Sequence, residues 1–272
     1  RHFDAEDAAA LARNGFTRAS TGVQSFDPAV QAAINRVQPF EMVRDAFDLL
    51  RAQGVTKINA DLIYGLPKQT VESARTSAEA AAALDPDRLA VFGYAHVPHM
   101  KSHQNLILDE DLPDAPTRIE QADAMDAALS DCGYRAIGID HYAKRADPMT
   151  LALEAGTLKR NFQGYTTDRA DTLIALGASA IGATPSGYVQ NIADVRSWMG
   201  AVEAGALPVA RGVAVSAEDA LRRAIIEQIM TYLRVDAGAL AARHGLAVPD
   251  FDVEELERAG VVRRDGATLA VN

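Results

Sequence analysis

Two polar residues end or interrupt apolar stretches in a way that could support ligand binding. Asp61 lies within the apolar run 58–63, and a carboxylate inside such a strand must be paired or must hydrogen-bond a ligand. An equal alternative to a ligand is a structural partner for Asp61, such as an arginine from a neighbouring loop. Gln24 lies near the end of another predicted strand, where it either contacts a ligand or caps backbone groups.

Histidines further along the chain give weaker signals. His96, His99 and His103 have helical spacings of three and four, but a proline among them disfavours a helix, so we expect no metal site there. Asp140 and His141 resemble an acid–base pair. Adjacent residues on a strand point to opposite faces, so these two act jointly only if the strand bends.

The segment 159–167 is richer in binding groups than a scaffold requires. It carries two cations, two amides, two aromatic rings and two hydroxyls, and Gly164 marks it as a loop. Arginine and lysine hold carboxylates while aromatic rings pack on planar groups, so the segment suits a flat, acidic ligand. A solvated loop is the alternative. The candidate contacts for such a substrate are Arg160, Asn161, Phe162, Gln163 and Tyr165.

These residues need a scaffold that brings strand ends together. Short apolar runs predict strands at 20–26, 57–64, 88–94, 135–141 and 177–182. Amphipathic stretches between them predict helices, and Thr70 precedes one such helix at 71–84. Alternating strands and helices of this length indicate βαβ units and a parallel sheet. In such folds, ligands bind at the carboxyl ends of the strands.

The pattern changes near residues 208–215. Ser216 caps a predicted helix at 217–233, and two shorter helices and a hairpin follow. We therefore expect residues 1–212 to form part of a parallel barrel and residues 213–272 to form a small, helical, winged-helix-like domain. Its helices carry no basic stripe, which disfavours binding to nucleic acid.

Composition excludes several classes of protein. The chain has 272 residues, 27 basic and 37 acidic, for a net charge of −10, which argues against nucleic-acid or anionic-membrane partners. No apolar run approaches the roughly 18 residues of a membrane span, so we expect a cytoplasmic protein. Cys132 is the one cysteine, which excludes a disulfide framework and an all-cysteine metal site in this chain.

Several stretches together resemble one family. They are GVQSF at 22–26, NR at 35–36, NADLIYGLPKQT at 59–70, PDRL at 86–89, YAH at 94–96, IDHYA at 139–143, NFQGYTT at 161–167 and GASAI at 177–181. In this order they resemble the second half of the radical S-adenosylmethionine (SAM) barrel, in the branch of the oxygen-independent coproporphyrinogen III oxidases. NFQGYTT is the most specific of these signals, and the resemblance covers essentially the whole chain.

The resemblance implies a chemistry and a set of partners. A [4Fe–4S] cluster reduces SAM to methionine and a 5′-deoxyadenosyl radical, which takes hydrogen from a propionate β-carbon of coproporphyrinogen III. Loss of CO₂ and an electron leaves a vinyl group, and two rounds give protoporphyrinogen IX. The cofactor performs the radical chemistry and the protein positions the reacting groups. We expect two SAM molecules, an electron donor and a monomeric enzyme that binds neither nucleic acid nor membrane.

The resemblance also implies which residues contact SAM. They are Gln24, Arg36, Asp61, Ala95 and Ile181. By charge, Arg36 suits a carboxylate and Asp61 suits an ammonium or ribose hydroxyl. Ala95 and Ile181 would supply backbone or apolar contacts to adenine. The resemblance assigns no catalytic residue in this chain.

The sequence departs from the family where the cluster should be bound. The three-cysteine motif and the glycine-rich segment after it are absent, and Cys132 cannot replace three ligands. We expect both to lie before residue 1, so that this chain is inactive alone. A homologue that has lost the cluster, and serves as a ligand-binding scaffold, is the alternative.

A related radical-SAM haem chaperone is the closest rival function. Those chaperones carry a His-Asn motif followed by Tyr-Trp where this chain has Arg160 and NFQGY. The one tryptophan, Trp198, lies elsewhere, so the segment favours the oxidase.

Overall fold

A computed structural model of the chain describes residues 3–161 and 164–272. Its backbone divides into two compact units, residues 1–156 and 157–272. The sequence places the boundary between barrel and helical domain at 212/213 instead. That boundary stays a prediction.

The first unit alternates strands and helices along most of its length. Its strands are β1 (Arg18–Gln24), β2 (Lys57–Tyr64), β3 (Arg88–Gly93), β4 (Tyr134–Ile137) and β5 (His141–Lys144). Its α-helices are α1 (Ala5–Arg13), α2 (Pro28–Ala33), α3 (Phe40–Ala52), α4 (Val71–Ala83), α5 (Ala115–Asp131) and α6 (Pro148–Glu154). Two short 3₁₀ turns, Ser102–Leu106 and Asp109–Asp111, lie between β3 and α5.

One five-stranded sheet, in the order β1-β2-β3-β5-β4, forms the centre of this unit. β1, β2 and β3 are parallel, which confirms the predicted mixed α/β fold with a parallel sheet. The sequence predicts one strand at 135–141, and this is wrong. The chain turns at Gly138, where φ is 61°, and makes the hairpin β4–β5, with β5 antiparallel to β3.

Alternation along β2 decides which side chains face the helices. Ile58, Ala60 and Leu62 are buried in the core together with small residues of α4, whereas Asn59 and Asp61 lie on the opposite face. A half-buried strand of this kind presents every second residue to each side of its sheet. The polar side chains of β2 therefore share the face that α4 does not cover.

The helix after β2 begins where the sequence predicts. The Thr70 hydroxyl accepts a hydrogen bond from Ser73 N at 3.0 Å, and the Ser73 hydroxyl lies 3.0 Å from Thr70 N as the acceptor of a second bond. This reciprocal capping satisfies two backbone donors at the start of α4. It fixes the turn that follows the carboxyl end of β2.

The second unit is built from antiparallel strands and helices. Its strands are β6 (Lys159–Asn161), β7 (Gly164–Thr166), β8 (Ile181–Thr184), β9 (Gly187–Asn191), β10 (Val209–Ala214), β11 (Arg234–Asp236), β12 (Val262–Asp265) and β13 (Thr268–Val271). Its helices are α7 (Val195–Glu203), α8 (Ala217–Tyr232), α9 (Ala237–His244) and α10 (Glu254–Arg258).

Two segments of this unit differ from their predicted structure. The segment 159–167, expected to be a loop, contains the antiparallel hairpin β6–β7. The strand predicted at 177–182 begins only at Ile181 and belongs to the antiparallel sheet β10-β9-β8. Apolar runs identify strands but not their direction, which long-range pairing decides.

The last elements form a small sheet beside three helices. α8 begins at the predicted Ser216 cap, whose hydroxyl accepts from Asp219 N at 3.1 Å. β11, β13 and β12 pair antiparallel in that order. Leu221, Ile225 and Leu240 belong to the core that joins the helices to this sheet.

Among the described residues, no helix combines the length and the apolar character that crossing a bilayer needs.

Candidate functional site

Gly22 lies at the centre of the polar groups near the end of β1. It is paired with Asp61 in the register of β1 and β2, and the register shifts between Gly22 and Gln24. Gln24 has a φ of 69°, a left-handed conformation that is uncommon for residues other than glycine. The irregularity turns the chain at the point where the predicted ligand contacts begin.

Asp61 is held by neutral hydrogen-bond donors. Its carboxylate accepts from Ser20 Oγ at 3.1 Å and from Asn59 Nδ2 at 2.6 Å. Within residues 3–161 and 164–272, no lysine, arginine or histidine forms an ion pair with it. The arginine partner considered as an alternative is therefore not present in the described part of the chain.

Arg36 lies on the other side of Gly22. Its Nη2 donates to the Gly22 carbonyl at 2.7 Å, and its Nε donates to Gln38 Oε1 at 2.6 Å. No carboxylate of the described residues pairs with this guanidinium. A methyl group on Gly22 would lie 2.5 Å from Gln24 Nε2 and 3.3 Å from Arg36 Nη2, so these two side chains use the space that glycine leaves.

The other two predicted SAM contacts belong to other elements. Ala95 follows β3, is exposed, and its carbonyl accepts from Gln104 Nε2 at 3.1 Å. Ile181 is the first residue of β8 and belongs to the second unit. The structure thus brings Gln24, Arg36 and Asp61 together in the first unit.

A row of side chains crosses the sheet through Asp61. Asp61 is paired with Ala90 of β3, and Ala90 is paired with His141 of β5, so all three side chains lie on one face. His141 Nδ1 lies 2.6 Å from Asp140 Oδ1. Asp140 belongs to the turn between β4 and β5, and this bend brings together two neighbours that a straight strand would separate.

Sequence reasoning missed Arg118, which α5 places at the carboxyl ends of β2 and β3. Its Nη2 donates to the Tyr94 carbonyl at 2.8 Å. A methyl group on Gly65 would lie 2.8 Å from Arg118 Nε, and one on Gly93 would lie 3.4 Å from Nη2. In the sequence, the glycines at the ends of these two adjacent strands are the feature that could have indicated a side chain packed across them.

The turn after β2 is a buried network of amides. Gln121 Oε1 accepts from Gly65 N at 2.9 Å, and Gln121 Nε2 donates to the Gln69 carbonyl at 2.8 Å. Gln69 Nε2 in turn donates to the Ile63 carbonyl at 3.0 Å. These bonds satisfy backbone groups that burial would otherwise leave unpaired, so the glutamines of this turn have a structural role.

The histidines after β3 do not converge in the described structure. His96 Nδ1 lies 3.3 Å from the Tyr94 hydroxyl, and its Nε2 lies 3.6 Å from Asp109 Oδ1. Burial raises the pKa of the Tyr94 hydroxyl, which stays protonated at neutral pH. In the part of the chain that the structure describes, no group of histidine, cysteine, aspartate and glutamate side chains is arranged to hold a metal ion.

The predicted substrate segment forms part of the second unit. Arg160 N donates to Glu227 Oε1 at 3.1 Å, and the Arg160 guanidinium lies 5.4 Å from the centre of the Tyr165 ring. Tyr165 is buried and its hydroxyl donates to the Met230 carbonyl at 2.8 Å, so it anchors the hairpin on α8. Phe162 and Gln163 lie outside the described residues.

A cavity of about 490 Å³ opens beside this hairpin, within the second unit. Its walls come from β6, β7, the segment 168–173, β8, β9 and α8. The charged residues that line it are Lys159, Arg160, Asp168, Asp171, Arg223 and Glu227. Arg160 and Asn161 are the predicted contacts that line this cavity.

β1 and β2, with the polar groups near their ends, lie in the part of the chain that matches a known family model. Residues 1–81 match the family model of the radical SAM superfamily. This first part of the chain therefore resembles the radical SAM class.

Similar proteins identify a family within this class. The chain is 47% identical to an oxygen-independent coproporphyrinogen III oxidase of Bradyrhizobium diazoefficiens, covering all of this chain and 61% of that protein. It is 40% identical to the Thermostichus vulcanus protein of the same name, covering 93% of this chain and 78% of that one. The chain belongs to the oxygen-independent coproporphyrinogen III oxidase family.

A solved structure agrees with this membership. The fold matches coproporphyrinogen III oxidase from Escherichia coli, a radical SAM enzyme, with a TM-score of 0.90 and 34% identity over the whole of this chain. The match covers 64% of that structure, and the chain spans about three-fifths of the Bradyrhizobium relative.

Family membership implies a [4Fe–4S] cluster and SAM, and the residues present fit these two groups differently. Arg36 has no carboxylate partner and Asp61 has no cationic partner among the described residues, and both adjoin Gly22. This donor set fits a zwitterionic amino-acid moiety such as that of SAM. Cys132 is exposed at the end of α5 and is the one cysteine of the chain, so the residues present do not fit the cluster.

Proposed function

We propose that the full-length enzyme containing this chain converts coproporphyrinogen III to protoporphyrinogen IX by oxygen-independent oxidative decarboxylation, as a step of haem synthesis. The observation that carries the proposal is the pair of opposite charges at Gly22. Arg36 and Asp61 each form hydrogen bonds to neutral groups and have no oppositely charged partner among the described residues. The similar proteins are named for this activity. This chain alone is inactive in our proposal, because the cluster ligands are not among its residues.

When bound, SAM would supply the radical that abstracts hydrogen from the substrate. The role of the chain is to orient it. Arg36 binds the carboxylate of SAM and Asp61 binds the ammonium or a ribose hydroxyl, since each lacks an oppositely charged partner of its own. Gln24 adds an amide beside Gly22, while Ala95 and Ile181 offer backbone and apolar contacts. We propose two SAM molecules per active enzyme.

In this proposal, residues of the second unit bind the substrate. The Arg160 guanidinium binds a propionate carboxylate, and Asn161 donates a hydrogen bond to the same ligand. Arginine suits this role because its planar group pairs with a carboxylate through two hydrogen bonds. Phe162, Gln163 and Tyr165 are proposed as further contacts, on the strength of the sequence resemblance.

The remaining features of the enzyme are proposed as follows. It is a cytoplasmic monomer that receives electrons from a separate donor. Residues 213–272 form a winged-helix-like domain, supported by the order helix, strand, two helices and two strands in α8, β11, α9, α10, β12 and β13. Binding to nucleic acid is not part of its function.

An anaerobic assay of the full-length, cluster-reconstituted enzyme tests the function. We expect conversion of coproporphyrinogen III to a divinyl product with consumption of SAM. The haem-chaperone alternative requires an axial ligand such as histidine, and the described part of segment 159–167 contains none. Stable haem binding without vinyl product would overturn our proposal in favour of the chaperone.

A further inference from the structure

We propose that Arg223 of α8 binds a propionate carboxylate of the tetrapyrrole, in the cavity beside the hairpin β6–β7. This inference rests on the proposed function, because it names a further contact for the same substrate. In sequence, Arg223 lies well beyond the motif 161–167, and it is the shared cavity that identifies it.

The acidic groups of this cavity already have partners. Glu227 Oε1 accepts from Arg160 N at 3.1 Å, and Asp168 Oδ1 accepts from Ala170 N at 2.9 Å. Asp171 Oδ1 lies 4.0 Å from Lys159 Nζ. The three carboxylates are therefore engaged with two backbone amides and one lysine.

Neither arginine of the cavity is paired with one of these carboxylates. Arg223 Nη1 donates to the Tyr188 hydroxyl at 3.2 Å, and its Cζ lies 5.9 Å from the centre of that ring. No carboxylate of the described residues forms an ion pair with Arg223 or Arg160. Arg160 Nε is buried and has no hydrogen-bond acceptor there.

The neighbouring arginine on the same helix shows the contrast. Arg222 Nη2 pairs with Glu218 Oε1 at 2.7 Å, one turn earlier on α8, and does not line the cavity. A guanidinium carries five N–H donors, and Tyr188 accepts from only one of those of Arg223. The remaining donors suit an added carboxylate, which would form charge-assisted hydrogen bonds.

The rest of the cavity suits the body of such a ligand. Leu173, Ala183 and Ile226 give it apolar walls, and the Tyr188 ring lies beside the cation. A pyrrole ring that carries a propionate presents an apolar face and one anionic arm. Both parts are matched by residues of this cavity, which favours a tetrapyrrole carboxylate over a simple inorganic anion.

The experiment compares Arg223→Gln, Arg223→Lys and Arg222→Gln in the full-length enzyme. We expect Arg223→Gln to raise the KM for coproporphyrinogen III about tenfold with a smaller change in kcat, because the contact holds substrate before the reaction as well as during it. Arg223→Lys should fall between this variant and wild type, since lysine keeps the charge but not the planar fork. Arg222→Gln should stay within about twofold of wild type.

Two controls separate a folding defect from lost binding. The thermal midpoint and the SAM cleavage measured without substrate should be equal in all variants. If Arg223→Gln and Arg222→Gln have the same KM in an active enzyme, the inference is wrong while the proposed function stands.

If the wild-type enzyme makes no vinyl product, the proposed function fails. The role of Arg223 is then tested by measuring porphyrin binding alone. Fluorescence titration would compare coproporphyrin III with its tetramethyl ester, which lacks the anionic carboxylates. We expect tighter binding of the acid and loss of this preference in Arg223→Gln. Equal binding of acid and ester to the wild-type enzyme would overturn the inference.

Discussion

Arg36 and Asp61 lie on either side of one glycine. Arg36 Nη2 donates to the Gly22 carbonyl at 2.7 Å, and Gly22 is paired with Asp61 across β1 and β2. The two charges do not form an ion pair with each other among the contacts of the described residues. Each is held in place by neutral groups, so a ligand that carries both an anion and a cation would complete them.

The carboxylate of this arrangement gives the first prediction. Asp61→Asn in the full-length enzyme should weaken SAM binding by roughly 1.5–3 kcal/mol, because a neutral amide cannot form the charge-assisted hydrogen bond. Isothermal titration calorimetry measures the affinity. Asp48→Asn, at an exposed site on α3, is the matched control and should bind SAM normally. Unchanged affinity in Asp61→Asn would remove this residue from the binding site.

Gly22 gives a second prediction. A methyl group there meets the amide end of Gln24 at 2.5 Å and Arg36 Nη2 at 3.3 Å, both of them ends of flexible side chains. Gly22→Ala should therefore displace both groups and weaken SAM binding about tenfold or more, at a cost in stability below about 1 kcal/mol. Calorimetry and chemical denaturation give the two quantities. Gly200→Ala, where nothing lies within 4 Å of the added methyl, is the control.

The parallel strands were predictable because each is a short apolar run between helices. β2 is predicted to the residue, and the helix after it starts at its Thr70 cap. The hairpin β4–β5 was not, since its turn residues Gly138 and Asp140 lie within a run short enough to form one strand. β10 was missed because every one of its residues is exposed, so no alternation marks it.

The site was predictable only in part, for a related reason. Charge and position single out Asp61, because a carboxylate is out of place in an apolar strand. Arg118 and Arg223 lie on helices among other polar residues, where exposed arginines are common. What distinguishes them is the partner they meet or lack, and that depends on contacts between elements distant in sequence.

The buried amide network predicts a large effect on stability. Gln121→Met keeps the side-chain volume but leaves Gly65 N and the Gln69 carbonyl without their partners. The free energy of unfolding should fall by about 1–3 kcal/mol, measured by urea denaturation. Gln53→Met, at an exposed helix end, should change it by less than about 0.5 kcal/mol. Equal effects in the two variants would show that the network does not stabilise the turn.

Cys132 gives a prediction about the cluster. This residue is exposed and ends α5, and one thiolate cannot hold a [4Fe–4S] cluster. Cys132→Ser in the full-length enzyme should leave the iron content, the visible absorption of the cluster and the activity unchanged. Loss of iron in this variant would mean that Cys132 is a cluster ligand after all.

The surroundings of Asp87, between α4 and β3, predict how the free energy of unfolding depends on pH. Burial raises the pKa of Asp87, but hydrogen bonds from Ile58 N and Lys57 Nζ, both at 3.0 Å, and the charges of Lys57 and Lys144 outweigh it. The pKa of this carboxyl is thus lower in the folded protein than in the unfolded chain. Its contribution to stability is complete above the unfolded value of about 4 and is lost as the pH falls through the folded value.

The variant Asp87→Asn tests the direction of this pH dependence. At neutral pH the variant should be less stable by about 1 kcal/mol, since the ionised acceptor of Ile58 and Lys57 is gone. Between about pH 5 and pH 3 the wild-type free energy of unfolding should fall more steeply than that of the variant, so the two curves converge. Urea denaturation across this range measures both curves, with Asp48→Asn as the control that keeps the Asp87 bonds. Parallel curves would show that Asp87 titrates alike in the folded and unfolded states.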